Sequence, residues 1–150
     1  MDPFNQKILL QLQTDSSLTN AQLSERVGLS AAACHRRVKA LESAGIVKGY
    51  VAQLNPRALG LKTSVYISVQ LESQRAEQLR RFEAAVASIP EVMECTLLAG
   101  TSDYLLRVIV RDSDDYQQLH ADRLTALPHV VRLHSQFGLK EIVRRTALPV

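Results

Sequence analysis

The chain has 150 residues, enough for one ordinary domain or two small ones, and 46% of them are hydrophobic against 22% charged. That balance describes a globular chain able to bury a core and excludes a fibrous or highly charged disordered one. No apolar run is long enough to span a bilayer, and Met1–Thr14 lacks the basic region and apolar stretch of a secretory signal, so a cytoplasmic protein without membrane contact is expected.

The net charge of +3 is unevenly spread. Residues 1–60 hold seven Lys/Arg against four Asp/Glu, whereas residues 61–150 hold eleven of each, so the whole excess lies in the first part. A polyanion partner is expected there. Cys34 and Cys95 have no neighbouring cysteine or metal-spaced histidine, so no metal site is expected and each reads as a small buried side chain.

Taken in chain order, Phe4, Ile8, Leu9 and Leu12 recur at helical spacing and predict a first helix from Phe4 to about Thr14. Asp15-Ser16-Ser17 interrupts it. Thr19 followed by Gln22 has the capping-box spacing and opens a short second helix carrying Ala21, Leu23 and Val27. Gly28 supplies a sharp turn. Ser30 then caps a third helix, Ala31 to Ala44, with Gly45 as its left-handed stop. A short strand is predicted at Tyr50–Leu54, and Asn55-Pro56 and Gly60 mark a turn-rich linker.

Beyond Gly60 the pattern changes. Val65, Ile67, Val69 and Leu71 alternate as one face of a strand, and Ala76, Leu79, Phe82 and Val86 form a helical stripe. Val92–Ala99 and Tyr104–Val110 read as strands joined by the turn Gly100-Thr101-Ser102-Asp103. Asp112–Asp115 place negative charge at the start of a helix carrying Tyr116, Leu119, His120, Leu124 and Leu127. Val131, Leu133, Ser135 and Phe137 alternate as a last strand, with Leu139–Arg144 as a candidate extra one. The order is βαββαβ. The expected fold class is therefore α+β: a helix-turn-helix, winged-helix-like domain at residues 1–60, then a ferredoxin-like domain at residues 61–150.

Two helices joined by a tight glycine turn place the second in the DNA major groove. In that helix Cys34, Val38 and Leu41 face the core, which leaves Ala32, His35, Arg36 and Lys39 on the other face with Arg37 at its edge. Ser30, Ala31 and Ala32 are small enough to let the helix start approach base edges. Arg36 suits bidentate donation to guanine, and His35 suits a base or a phosphate. Arg37, Lys39 and Lys48 suit phosphates. Any surface helix can carry basic residues, but here a turn, a cap and a division of basic from apolar faces coincide.

The residues Leu23-Ser24-Glu25-Arg26-Val27-Gly28-Leu29-Ser30, Arg36-Arg37-Val38-Lys39-Ala40-Leu41-Glu42, Gly45-Ile46-Val47-Lys48-Gly49-Tyr50, Leu54-Asn55-Pro56 and Gly100-Thr101-Ser102-Asp103-Tyr104 together resemble the Lrp/AsnC (feast/famine) regulators. Leu127-Pro128-His129-Val130 is similar to that family's Leu-Pro-Gly-Val. The chain departs from the pattern at Asn5 (usually Asp), Ala31 (often Pro) and His129 (Gly). The resemblance implies a sequence-specific regulator of transcription that binds double-stranded DNA as a homodimer, often within an octamer. It also implies an amino-acid effector and no cofactor. Carried over by position, Gly100, Thr101, Ser102, Asp103 and Tyr104 would line the effector site, with Ser135 and Gln136 opposite. There, turn amides would hold a carboxylate and Asp103 would pair with an ammonium. The same turn composition forms without any ligand. The resemblance further implies that effector binding shifts oligomeric state or DNA affinity.

Two other readings compete. An enzyme built on the ferredoxin-like half is disfavoured, because no phosphate-cradling loop or nucleophile motif is present and His120, His129 and His134 are scattered; no catalytic residue is expected. A nucleoid-associated architectural protein would use the same helix-turn-helix with little sequence preference.

Overall fold

The computed structural model describes residues 1–150 and comprises two compact units. One is Met1–Gln53 together with Ile142–Val150, and the other is Leu54–Glu141. The sequence pattern predicts a boundary near Gly60, with everything beyond it in the second unit. The difference arises because the segment Ile142–Val150 returns to the first unit, and no local pattern encodes a long-range return.

The first unit is built from α1 (Pro3–Thr14), α2 (Asn20–Val27) and α3 (Ala31–Ser43). Local chemistry sets each end. The Asp2 carboxylate accepts from the Phe4 and Asn5 amides at the start of α1. Thr19 and Gln22 form the reciprocal capping box of α2. Gly28 adopts φ +73°, a left-handed conformation that a side chain resists, and so turns the chain out of α2. Ile8, Leu9, Leu23, Val27, Cys34 and Leu41 are buried together, the aliphatic ones each contributing roughly 1.5–3 kcal/mol if fully removed from water. The predicted strand at Tyr50–Leu54 is absent: the backbone there forms no ladder, because nothing in the chain pairs with it.

The second unit is a four-stranded antiparallel sheet in the order β2-β3-β1-β4, formed by β1 (Thr63–Leu71), β2 (Val92–Leu97), β3 (Tyr104–Val110) and β4 (Val130–Phe137). With α4 (Ala76–Ala87) and α5 (Ser113–Leu119) it makes the expected βαββαβ order. Val65, Ile67 and Val69 of β1, Tyr104, Leu106, Val108 and Val110 of β3, and Phe82, Val86, Tyr116 and Leu119 of the helices share one core, so both helices cover the same face of the sheet. A π-helical segment, His120–Leu124, continues α5. Its wider turn lets Leu119 and Leu124 both reach the core although they are five residues apart. No strand forms at Leu139–Arg144. Cys34 is buried as expected, but Cys95 is exposed, since β2 is an edge strand.

Candidate nucleic-acid interface and effector-binding face

The turn between α2 and α3 is braced from three sides. The Leu29 amide donates to the Ser24 carbonyl (2.9 Å), the Ala33 amide to Ser30 Oγ (3.2 Å), and Asn20 Nδ2 to the Ala31 carbonyl (2.8 Å). The Asn20 contact ties the start of α2 to the start of α3. Local pattern reading missed it, because its partner lies across the turn.

Cys34 and Leu41 of α3 are buried, while Ser30, Ala31, Ala32, His35, Arg36 and Lys39 are exposed. Six of the seven predicted DNA-contacting residues thus share an accessible face. Arg36 enters no ion pair, so its guanidinium is free to donate. Arg37 is different. Its Nη1 donates to Asp2 Oδ1 and to Asn5 Oδ1, both at 3.0 Å, and its guanidinium lies 5.5 Å from the Phe4 ring centroid. The guanidinium expected to meet phosphate is instead used to hold α3 against the start of α1. Asn5, the departure from the family's Asp, still supplies the acceptor oxygen.

Lys39 Nζ lies 2.7 Å from Glu42 Oε2, and Glu42 Oε1 accepts from the Tyr50 hydroxyl at 3.1 Å. Lys39 and then Tyr50 hold the Glu42 carboxyl below its ordinary range. Lys39 remains mostly exposed and its exposed pair is weak, so it can exchange Glu42 for a phosphate.

In the second unit, Gly100 and Thr101 are exposed and Ser102 is half-buried at the end of the β2–β3 hairpin. Asp103 is 7% exposed, with both carboxylate oxygens occupied: Oδ2 accepts from the Leu71 amide and Oδ1 from Gln74 Nε2, each at 2.7 Å. Its own amide donates to the Val69 carbonyl at 2.9 Å. Asp103 therefore pins the end of β1 to the start of β3 rather than standing open to an ammonium group. Tyr104 is 1% exposed, stacked at a tilt on Phe82 with its hydroxyl donating to Glu83 Oε1 at 2.7 Å. Burial, and then Glu83, push its phenol well above its ordinary pKa. It is a core residue of this hairpin.

Ser135 and Gln136 do not act as neighbours. Ser135 pairs in register with buried Ile67 and bonds the Tyr116 hydroxyl on the helix-covered face, whereas Gln136 pairs with Tyr66 on the open face. Successive strand residues point to opposite sides, so one site cannot use both side chains from the same direction. The open face carries the row Gln136, Tyr66, Arg107 and Glu94 across all four strands. Arg107 Nε donates to Glu94 Oε1 at 3.0 Å and is 8% exposed.

No helix is long and apolar enough to cross a membrane. Residues 1–48 match the model of a winged helix-turn-helix DNA-binding domain, and residues 64–148 match that of the Lrp/AsnC ligand-binding domain. The chain is 39% identical over its whole length to the Bkd operon transcriptional regulator of Pseudomonas aeruginosa, covering 98% of it. It is 34% identical over its whole length to the leucine-responsive regulatory protein of Escherichia coli, covering 92% of that protein. Among solved structures, a Neisseria meningitidis transcriptional regulator in complex with L-Met superposes with a TM-score of 0.93 at 40% identity, over 99% of this chain and 96% of that one. With its DNA-binding and ligand-binding halves both matched, the chain belongs to the Lrp/AsnC family of transcriptional regulators.

Proposed function

We propose that this chain is a sequence-specific regulator of transcription, acting in the cytoplasm, whose hold on DNA is set by an amino acid. The observation that carries the reading is the exposed start of α3. There the small residues Ala31 and Ala32 clear the approach to base edges and Arg36 is left without an acidic partner. In this reading Ser30, Ala31, Ala32, His35 and Arg36 meet DNA directly, Lys39 meets phosphate, and Arg37 holds α3 in place. One such helix reads only a few base pairs, so two copies are needed to read paired half-sites. The open face of the sheet, with Tyr66 37% exposed beside Arg107 and Gln136, is the surface through which a homodimer forms.

The effector assignment draws on the matched ligand-binding domain and on the L-Met complex of the Neisseria relative. The exposed amides of Gly100, Thr101 and Ser102 would receive the carboxylate, with Asp103 and Tyr104 shaping the turn from beneath. Ser135 and Gln136 serve opposite faces of β4, so a second chain completes the site, and dimers assemble further around it. Effector binding then shifts the oligomer or the setting of the DNA-binding units, which requires unequal affinity for the two states.

The test is binding to genomic fragments, including the region upstream of the protein's own gene, with and without L-methionine, L-leucine and pooled amino acids. Selective binding that one amino acid shifts supports the reading. Equal affinity for target and random DNA at fixed salt indicates an architectural protein instead. Arg36→Ala is expected to relax sequence preference by about 1–3 kcal/mol, whereas Lys39→Ala weakens all sequences alike and lowers the salt slope by about one unit. Identical effects from the two would defeat this division of roles.

A further inference from the structure

The segment Ile142–Val150 forms neither helix nor strand, yet belongs to the DNA-binding unit. Gln13, in the last turn of α1, grips it through both halves of its amide. Nε2 donates to the Leu148 carbonyl (3.1 Å), and Oε1 accepts from the Leu148 amide (2.6 Å). A side chain here satisfies one backbone residue in the two-bond manner of an antiparallel strand partner. Gln53 Nε2 adds a bond to Thr146 Oγ1 at 3.0 Å. Beside these contacts lies a groove of about 570 Å³, lined by Leu9, Leu12, Ile46 and Val47 of the unit and by Leu148 and Val150 of the segment.

The seating is shallow. Leu148 is still 70% exposed, and Ile142 and Val143 are 76% and 63% exposed. A segment held by a few exposed hydrogen bonds and little apolar burial sits at the low end of local stability, where opening need not unfold the rest. Its place in the chain gives detachment a consequence. The DNA-binding unit is joined to the sheet unit by two chain crossings, after Gln53 and after Glu141. The second crossing constrains the unit only while Ile142–Val150 is docked.

We propose that Ile142–Val150 is a releasable second tether of the DNA-binding unit, clipped by Gln13 and Gln53, whose docking narrows the positions that unit can take. Two-site DNA engagement depends on the effective concentration of the second unit at its half-site, which a looser tether lowers. The segment follows β4, the strand carrying Ser135 and Gln136, so a ligand held by β4 biases docking directly. That last clause rests on the effector assignment above; the tether itself does not.

Two variants test it. A chain ending at Arg145 loses residues 146–150, none of which carries a charged side chain, so the electrostatic attraction to DNA is kept. Gln13→Ala keeps the segment and removes its clip. Affinity is measured for duplexes with one and with two half-sites, alongside amide exchange at Leu148. The expected result for both variants is binding to the two-site duplex weakened about tenfold, with one-site binding within about twofold of the parent. In Gln13→Ala the protection of the Leu148 amide is lost. Parent-like two-site binding by both variants overturns the proposal, as does a Leu148 amide in the parent that exchanges at free-peptide rates. A parent that binds no DNA strikes the regulator reading, and Leu148 protection still decides whether the segment docks. With L-methionine added, a parent that responds and an Arg145-ended chain that does not supports the link to β4; an unchanged response in the shortened chain removes that link.

Discussion

The two units of this molecule are built to different depths. The DNA-binding unit closes on the buried side chains Ile8, Leu9, Leu23, Val27, Cys34 and Leu41, supplied by three short helices. The sheet unit buries more than twice as many, including Phe82, Tyr104, Leu106 and Leu124, none more than 1% exposed. Apolar burial is the main stabilising term, so the sheet unit is the rigid platform and the DNA-binding unit the marginal one. The lesson concerns how function is carried. On the marginal unit the proposed contact residues lie on the outer face of one helix, and they need only that helix and its cap. On the platform the effector-site candidates come from a hairpin turn and a separate strand, and their orientation depends on sheet register.

The sharpest way to break the comparison is a core truncation in the weaker unit. Leu23→Ala, at a position 3% exposed, is expected to remove about 2–5 kcal/mol. That would unfold the DNA-binding unit first. Urea titration followed by amide exchange should show α1–α3 losing protection while β1 and β3 keep theirs. Simultaneous loss in both units would show that they fold as one.

Next in size is Asp103→Ala, which strands the Leu71 amide and the Gln74 side chain beneath the turn. A loss of about 1–3 kcal/mol is expected from the sheet unit, read by thermal unfolding. If Asp103 were instead a ligand contact, amino-acid affinity would fall with stability unchanged.

His129→Gly should work in the opposite direction. His129 holds φ +64° at the entrance to β4, and relieving that left-handed conformation is expected to stabilise the unit by about 1 kcal/mol. The gain is offset in part by loss of the 3.6 Å contact with Glu72 and by a more flexible unfolded chain. No change in Tm would mean those losses match the strain.

The smallest effect is electrostatic. Hydrogen bonds from Arg111 hold Asp115 at about 2, below its ordinary 3.8. A depressed carboxylate stabilises the fold above the unfolded value and loses that contribution as pH falls through the folded one. In Arg111→Ala the Asp115 titration, followed by NMR, is expected to move up toward 3.8. A titration that stays near 2 would assign the shift to the backbone amide of residue 111, which also donates to Asp115 and survives the substitution.

Much of this protein is written locally. The capping box at Thr19 and Gln22, the left-handed Gly28 and the Ser30 cap follow from residues a few positions apart, and they orient the face that carries Arg36. The alternation in β1 and β3 likewise marks which side of the sheet is buried. The proposed effector face was legible only as a resemblance, because the roles of its residues depend on partners far away in sequence. Asp103 answers to Leu71, Tyr104 to Glu83, and Ser135 to Tyr116. Strand propensity at Tyr50–Leu54 and Leu139–Arg144 produced no strand, since a ladder needs a partner that composition does not supply. The charge of Arg37 and its position on α3 suit a phosphate, but only the folded chain brings Asp2 and Asn5 against it. The sequence by itself determined the helix-turn-helix, the βαββαβ order and the exposed face of α3, because caps, turns and periodicity act over a few residues. The tertiary structure alone decided which carboxylates and guanidinium groups remain free, and that the segment Ile142–Val150 joins the DNA-binding unit, because both depend on contacts between residues distant in the chain.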